Sequence, residues 1–507
     1  MPPAPRASLS PNSLDFETQA LVKPTGFREY DARWWFGVPG SAKAPELNLL
    51  GVQALGLGLG ALVRELGAAP RIVVGHDYRA YSLSIKQALT LGLIEAGMDV
   101  HDIGLALSPT AYFAQFALDI ACVAMVTASH NENGWTGVKM GAHRPLTFGP
   151  EEMGRLKAIV LEGRAAPHAG GAYVRVEGMR ELYLDDLVKR VQLKRKIKAV
   201  VACGNGTAGA FAPEALRRMG ADVVELHCRL DWNFPHYNAN PEDSAMLADM
   251  AEAVKRHGAD LALGFDGDGD RCGVVDDQGE EIFADKIGLM LARDLSALHT
   301  GATFVVDVKS TGLYAIDPVL KANGAKVEYW KTGHSYIKRR TDELGALAGF
   351  EKSGHFFFRP PLGLGYDDGI AAAAAVLAML DRNPEKKLSD LRKALPLSFT
   401  SLTMSPHCDD EKKYSIVDAV VDDYQHLAQS GGKILGRAIR DVNIVNGARV
   451  TLSDGSWLLV RASSNKPELV VVVESMTSQG DMRALFREEV KPRLARFAEV
   501  GAYNQEI

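Results

Sequence analysis

Ile72-Val-Val-Gly-His-Asp77, Val200-Val-Ala-Cys-Gly-Asn205 and Phe304-Val-Val-Asp-Val-Lys309 each run a short apolar strand into a small or polar turn, followed by a helical stretch. Outward from these three, apolar runs of strand length rich in Val and Ile alternate with amphipathic helical stretches for most of the chain, the pattern of βα units on a largely parallel sheet. Their recurrence at domain-sized spacing predicts three related α/β domains with mixed or parallel sheets. Two valines before a turn are also commonplace in unrelated α/β proteins, so this pattern alone leaves the relation among the three open.

Beyond Pro396 the pattern changes. Gly447–Ser453, an Asp454-Gly455 turn, Trp457–Ser463 and Leu469–Glu474 read as a hairpin-rich sheet, closed by a charged helix from Asp481 to about Ala498. This predicts a fourth, α+β domain. The expected organisation is a disordered, solvated Pro-rich tail over residues 1–14, α/β domains over 15–174, 175–284 and 285–395, and the α+β domain over 396–507. The 507 residues agree with such a division, since one core rarely organises more than about 250–300 residues.

Composition narrows the function classes. At 47% hydrophobic and 24% charged, the chain is an ordinary globular protein without the signature of disorder. A formal charge of −6 is too mild and too acidic to make nucleic-acid backbone the default partner, so any anion site must be local. The basic run Lys189, Arg190, Lys194, Arg195, Lys196 and Lys198 has no interleaved aromatics and reads as a solvated face. Five scattered cysteines suit neither a zinc cage nor a disulfide framework and fit a reducing compartment. The stretches around Leu55–Val63 and Ile370–Leu380 are too short or too Gly/Ala-rich to span a membrane, and the first residues lack a secretory signal's apolar core. A soluble, cytoplasmic protein is expected.

Four segments carry chemistry. In Thr127-Ala-Ser-His-Asn-Glu-Asn-Gly-Trp-Thr-Gly-Val-Lys139, a hydroxyl leaves a strand into a loop of small and polar residues, which suits Ser129 as a covalent phosphate carrier. Lys139 is placed to supply positive charge or proton transfer. In Phe265-Asp266-Gly-Asp268-Gly-Asp270-Arg271, glycines between three carboxylates let the backbone fold tightly around one hard cation. Magnesium is favoured, because three carboxylates leave positions for phosphate oxygens; a calcium loop would need Gly at Arg271 and Glu at Asp277. Lys331-Thr-Gly-His334-Ser and Gly349-Phe-Glu351-Lys-Ser353-Gly-His355 each follow a strand, at the sheet edge where ligands of open α/β sheets collect. Glu351 and Ser353, two apart on extended chain, would reach one polyhydroxylated ligand, and either histidine suits a proton shuttle or a structural role. Arg461-Ala-Ser463-Ser464-Asn465-Lys466-Pro467 gathers a guanidinium, hydroxyls, an amide and backbone N–H groups into a phosphate cradle, or an ordinary surface turn.

Taken together and in order, these segments resemble the α-D-phosphohexomutase superfamily, most closely its phosphomannomutase/phosphoglucomutase branch. Phe27-Arg-Glu-Tyr30-Asp-Ala-Arg33 and Gly75-His-Asp-Tyr-Arg79 resemble the family's N-terminal Tyr/Arg segment and first-domain turn. The resemblance implies four domains around a central cleft, with Ser129 the phosphoserine and Asp266, Asp268 and Asp270 the Mg²⁺ ligands, joined by Ser129. Arg271 would lie near the reacting oxygens; Glu351 and Ser353 would bind sugar hydroxyls beside Thr332, Gly333 and His334. Arg461, Ser463, Ser464 and Asn465 would hold the non-reacting phosphate, Lys309, Tyr30 and Arg33 would complete the site, and Lys139 and His355 are the acid/base candidates. The chain departs from many relatives at Asn131-Glu132-Asn133, where Asn-Pro is usual, and at Ser-Ser-Asn-Lys, where Ser-Asn-Thr-Glu is usual. Lys352 between Glu351 and Ser353 is closer to the mannose/glucose branch than to the glucosamine branch, which tends to carry Gln there.

The expected reaction interconverts hexose 1-phosphate and hexose 6-phosphate through a phosphoserine enzyme and a reorienting 1,6-bisphosphate, in a monomer or homodimer whose partners are small sugar phosphates. Three alternatives stand beside it: a phosphoglucosamine mutase of the same superfamily, a haloacid-dehalogenase-type phosphatase or mutase using Phe265-Asp-Gly-Asp, and a non-catalytic sugar-phosphate-binding protein. The second would leave Ser129 unexplained and places its motif unusually far from the N-terminus.

Overall fold

β-Branched side chains pack well on a pleated surface buried on both faces, and the three Val- and Ile-rich segments do form such strands. The computed structural model describes residues 3–464 and 466–507. They divide into two units, one running to Ala284 and taking in Ser353–Ser389, the other made of Asp285–Lys352 and Asp390–Ile507.

The first unit contains two sheets. Strands β1 (Ala32–Trp35), β2 (Arg71–His76), β3 (Asp99–Leu105), β4 (Cys122–Val126), β5 (Trp135–Gly141) and β6 (Ala172–Arg175) lie in the order β1-β5-β4-β2-β3-β6. β2 is central and parallel to β3 and β4, whereas β5 returns antiparallel beside β4. The second sheet comprises β7 (Lys198–Ala202), β8 (Asp222–Leu226), β9 (Leu261–Phe265), β10 (Cys272–Asp276) and β11 (Glu281–Ile282), in the order β11-β10-β9-β7-β8. Here β7 is parallel to β8 and β9, and β10 returns antiparallel beside β9. Ile72, Val73 and Val74 in β2, like Val200 and Val201 in β7, are fully buried. The segment read as a solvated tail carries one backbone bridge, Arg6 to Leu21, and Arg6 Nε donates to Gln19 Oε1 at 2.9 Å.

In the second unit Thr303–Asp307 is parallel to Lys326–Trp330 on one side and Ala348–Phe350 on the other. Each of the three repeated segments is thus a middle strand flanked by two parallel neighbours. The C-terminal part is a six-stranded antiparallel sheet containing Arg437–Asn443, Ala448–Leu452, Trp457–Ala462 and Leu469–Ser475, as its Asp-Gly turn predicts. Gly455 takes φ +91°, which explains a glycine in that turn. The helix Lys413–Gln429 and a closing helical segment from Gln479 to Leu494 complete the α+β part. No helix among the described residues is long and apolar enough to cross a membrane.

Two buried ions join the sheets of the second unit. Arg449 stacks on Tyr329 and Trp457, with ring centroids 4.2 and 3.7 Å away, and donates to the carbonyl oxygens of Val308 and Ser310. Glu474 accepts from Gly312 N (2.7 Å), Thr311 Oγ1 (2.8 Å), Thr400 Oγ1 (2.7 Å) and Trp457 Nε1 (2.5 Å). Burial alone would raise the Glu474 carboxyl, but these donors, the Gly312 N–H first, hold it below its ordinary value of 4.5. A carboxyl depressed in the fold adds stability that is present above its unfolded pKa and lost as pH falls through the folded one. Glu474→Ala should cost about 3–5 kcal/mol at pH 7 by leaving buried donors unpaired. Glu474→Gln should lessen the acid sensitivity of the melting temperature below pH 4.5; thermal melts at stepped pH read both.

Candidate active site

Two loops of the first unit occupy the same position in their sheets: residues 127–134 join β4 to its antiparallel partner β5, and residues 266–271 join β9 to β10. Ser129 stands in the first, buried, with φ +52°, a left-handed conformation rare for a residue with a Cβ. What holds it there is the turn after β2. Asp77 Oδ2 accepts from Thr127 Oγ1 (2.9 Å) and from Ala128 N (3.2 Å), and Arg79 Nε lies 3.3 Å from the same oxygen. The Arg79 guanidinium donates to the carbonyl oxygens of Ser129 (2.9 Å), Asn131 (2.7 Å) and Glu132 (3.2 Å). The Ser129 hydroxyl is left to face Asp266 Oδ2 at 3.0 Å and His130 Nδ1 at 3.3 Å. Burial, with the Arg271 and Arg33 cations, holds His130 well below the usual histidine range.

Asp266, Asp268 and Asp270 are fully buried and offer ligand oxygens within 4.8 Å of one another. The intervening glycines are required: a Cβ at Gly267 would stand 2.5 Å from the Ser129 carbonyl oxygen, and Gly269 takes φ +73°. Lys139, reaching in from β5, donates through Nζ to Asp268 Oδ2 at 2.7 Å and to Asp270 Oδ2. Ser108 Oγ also donates to Asp268 Oδ2, at 2.5 Å. Burial would lower the Lys139 ammonium, but the Asp268 and Asp270 carboxylates hold it well above its usual value. Burial likewise opposes ionisation of the aspartates; Asp270, beside Lys139, His355 and Arg271, is nonetheless held well below the usual range, while Asp266, adjoining Asp268 and Asp270, is pushed well above it. Among the described residues Asp268 Oδ1 has no hydrogen-bond partner. Three buried carboxylates with hard oxygen donors within reach of one another form a triad able to hold a metal ion.

The other predicted residues of this unit gather nearby. Arg33 makes an ion pair with Asp31 at 2.8 Å, and its Nη1 lies 3.5 Å from Asn131 Oδ1 in the serine loop. Burial would lower its guanidinium, but Asp31 raises it further. Tyr30 is buried close to Arg33. Arg271 N donates to Asp266 Oδ1 at 3.2 Å, and Arg271 Nε lies 3.3 Å from His355 Nε2. His355 Nε2 is 3.4 Å from Asp270 Oδ1, and its Nδ1 is 3.0 Å from Ser353 Oγ. Asp367 joins Asp270 and His355 in a second buried group with ligand atoms within 4.8 Å of one another.

In the second unit the predicted residues hang on Asp307, which closes the third middle strand. Its carboxylate accepts from Ser310 Oγ (2.6 Å), Thr332 Oγ1 (3.1 Å) and Lys352 N (3.2 Å), with Lys309 Nζ 3.9 Å away. Glu351 Oε1 accepts from Gly333 N at 2.7 Å, and His334, buried, begins the helix that follows. The strand ends at Phe350 and Lys352–Ser353 form a turn, so strand alternation does not carry from Glu351 to Ser353. Asn446 Oδ1 accepts from Thr332 N at 3.2 Å, and the neighbouring Gly447 lies against the Arg461 backbone. Arg461 and Ser463 are buried and Ser464 is half-buried; Asn465 lies outside the described residues. Asp77, Arg79, Asp307 and Asn446 were not among the expected site residues. The Gly75–Arg79 turn was the one available signal for the first two.

The profiles described as phosphoglucomutase/phosphomannomutase alpha/beta/alpha domain I, domain II, domain III and C-terminal domain match residues 27–166, 181–279, 283–399 and 408–491. The chain is 34% identical over 456 residues to a phosphomannomutase/phosphoglucomutase of Pseudomonas putida, covering 90% of this chain and 93% of that protein. It is 32% identical over 453 residues to a phosphoglucomutase of Neisseria gonorrhoeae, covering 89% and 93%. The crystal structure of a phosphoglucomutase/phosphomannomutase family protein from Burkholderia thailandensis superposes with a TM-score of 0.81 at 28% identity, over 94% of this chain and 98% of that one. With a buried serine hydroxyl on an acidic triad, and agreement with these relatives along nearly the whole length, the chain belongs to the phosphoglucomutase/phosphomannomutase family.

Proposed function

We propose that this chain interconverts the 1-phosphate and 6-phosphate of a hexose, mannose or glucose, through phosphorylated Ser129 and a hexose 1,6-bisphosphate. The observation that carries this reading is the Ser129 hydroxyl, held in a left-handed turn and aimed at Asp266 of the acidic triad. The two phosphates sit at opposite ends of the sugar, so one reactive centre serves both only if the intermediate turns over between two transfers.

In the first transfer the phosphorus–Oγ bond of phosphorylated Ser129 breaks as the substrate's free hydroxyl oxygen bonds to phosphorus. The hydroxyl proton passes to a base, for which His355 is the candidate, and Ser129 Oγ leaves with the bonding pair. Lys139, kept as an ammonium by Asp268 and Asp270, and Arg271 supply fixed positive charge to the transferring group. In the second transfer Ser129 Oγ takes the other phosphate and the proton is returned. Asp266, Asp268 and Asp270, with an oxygen of phosphorylated Ser129, are proposed to hold Mg²⁺, which when bound offsets charge on the transferring phosphoryl group. Tyr30 and Arg33 are proposed to border the reacting end of the substrate. Lys309, Thr332, Gly333, His334, Glu351 and Ser353 are proposed to bind the hexose, and Arg461, Ser463, Ser464 and Asn465 its non-reacting phosphate. Lysine at position 352 supports mannose and glucose over glucosamine. All five cysteines are buried and free, which supports a reducing, cytoplasmic setting for a monomer or homodimer acting on small sugar phosphates.

Ser129→Ala should lose turnover of glucose 1-phosphate by at least about a thousandfold while still binding it in calorimetry, because the covalent carrier and not the sugar site is removed. Mass spectrometry of the wild type should place the phosphate on Ser129; phosphate on Asp266 would instead support the haloacid-dehalogenase chemistry. Dialysis against a chelator should abolish turnover, and Mg²⁺ should restore it. Asp268→Asn should weaken that restoration, read as a right-shifted Mg²⁺ activation curve.

A further inference from the structure

We propose that Lys413, outside every motif above, is a positioning residue that sets the main-chain orientation and local charge at Ser463 and Lys466, in the segment read as the phosphate loop, and through them the affinity for the substrate's non-reacting phosphate. The inference rests on reading that loop as the phosphate site. In sequence Lys413 follows Asp409-Asp410-Glu411-Lys412, a charged run that reads as solvated surface. In the fold these four are exposed but Lys413 is buried at the start of the helix Lys413–Gln429. Its Nζ donates to the carbonyl oxygens of Ser463 (2.5 Å) and Lys466 (3.1 Å) and to Asp410 Oδ1 (2.6 Å). Three ammonium donors thus meet three acceptors, two of them main-chain groups of the loop itself.

Burying an ammonium costs desolvation that a methionine of similar length would avoid. What the ammonium does that a thioether cannot is turn loop carbonyls toward itself. In a trans peptide the N–H points opposite to the C=O, so drawing the Ser463 carbonyl to Lys413 turns the Ser464 N–H away from it. The loop thereby presents an amide donor, with the hydroxyls of Ser463 and Ser464 close by in the chain, over a buried positive charge. Backbone donors backed by a fixed cation are a recurrent means of binding phosphate.

The test compares Lys413→Met, Lys413→Arg and Arg461→Ala in turnover of glucose 1-phosphate, with thermal melts of each. Lys413→Met should raise KM by about ten- to a hundredfold while kcat falls by less than about threefold, and Lys413→Arg, which retains a cation beneath the loop, should recover most of the loss. Arg461→Ala should raise KM as well. If Arg461→Ala raises KM but a folded Lys413→Met does not, the role of Lys413 is overturned and the phosphate-loop reading stands. If Arg461→Ala leaves KM unchanged, the phosphate-loop reading itself falls, and this inference with it. Should Lys413→Met fail to melt cooperatively, Lys413→Gln takes its place under the same criterion, and an unchanged KM in that variant overturns the proposal.

Discussion

Three carboxylates packed into one hairpin turn, with no water-facing surface to screen them, are the constraint around which the first unit is built. At such separations like charges out of water repel by several kcal/mol even at a moderate effective dielectric, so the turn is tenable only where other elements bring compensation. They do: Lys139 reaches in from a strand of the first sheet, Ser108 from the start of a helix, and His355 from beyond the third middle strand. Arg271 contributes its backbone amide from the turn itself. The carboxylates are balanced unequally. Asp270, with Lys139, His355 and Arg271 beside it, is held well below the usual carboxylate range despite its burial, whereas burial and then the Asp268 and Asp270 carboxylates push Asp266, on which the Ser129 hydroxyl rests, well above it. Three buried carboxylates within reach of one another form a turn able to hold a metal ion, which would complement their charge.

The repeated strand pattern gives this arrangement its logic. In both sheets of the first unit the middle strand is followed by two parallel neighbours, and the chain then reverses into an antiparallel return. The reversals hold the Ser129 loop and the aspartate turn. In the second unit the strand Ala348–Phe350, likewise parallel to its middle strand, runs straight into Glu351. A tight reversal at the carboxyl end of a buried strand is an economical place for chemistry, because a rigid sheet fixes its stem while its tip need not satisfy a ladder. Three copies of one local solution thus end in three different sets of side chains: a serine, three aspartates and a glutamate.

Much of this was legible in the chain. Val-rich runs announced buried parallel strands, the Asp-Gly turn announced the C-terminal hairpins, and alternating Asp and Gly announced a tight turn of converging carboxylates, because in each case the local requirement dictates the residue type. What stayed hidden depends on long-range approach. Asp77 and Arg79 act on a loop some fifty residues away, and His130 is held well below the usual histidine range by burial and by guanidiniums that the sequence does not place beside it. Asp307 sits inside a motif noted for its valines and its lysine, and Lys413 ends a run that looks like solvated surface. Glu351 and Ser353 were expected on one face of an extended segment, but the strand stops at Phe350.

The choice of cation at each buried position shows why sequence alone could not assign these roles. Lys139 serves carboxylates of two different aspartates, a task for a compact ammonium whose three donors rotate freely about one axis. Arg79 serves three carbonyl oxygens of one curved loop and a carboxylate, which need donors spread over a planar fork several ångströms wide. Arg449 lies against two aromatic rings, where a flat, weakly hydrated cation stacks and an ammonium would lose more hydration for the same contact. All three read as a basic residue near a strand or turn. The distinction lies in whether the groups they meet are converging points, an arc or a flat face, and that shape exists only once distant segments have come together.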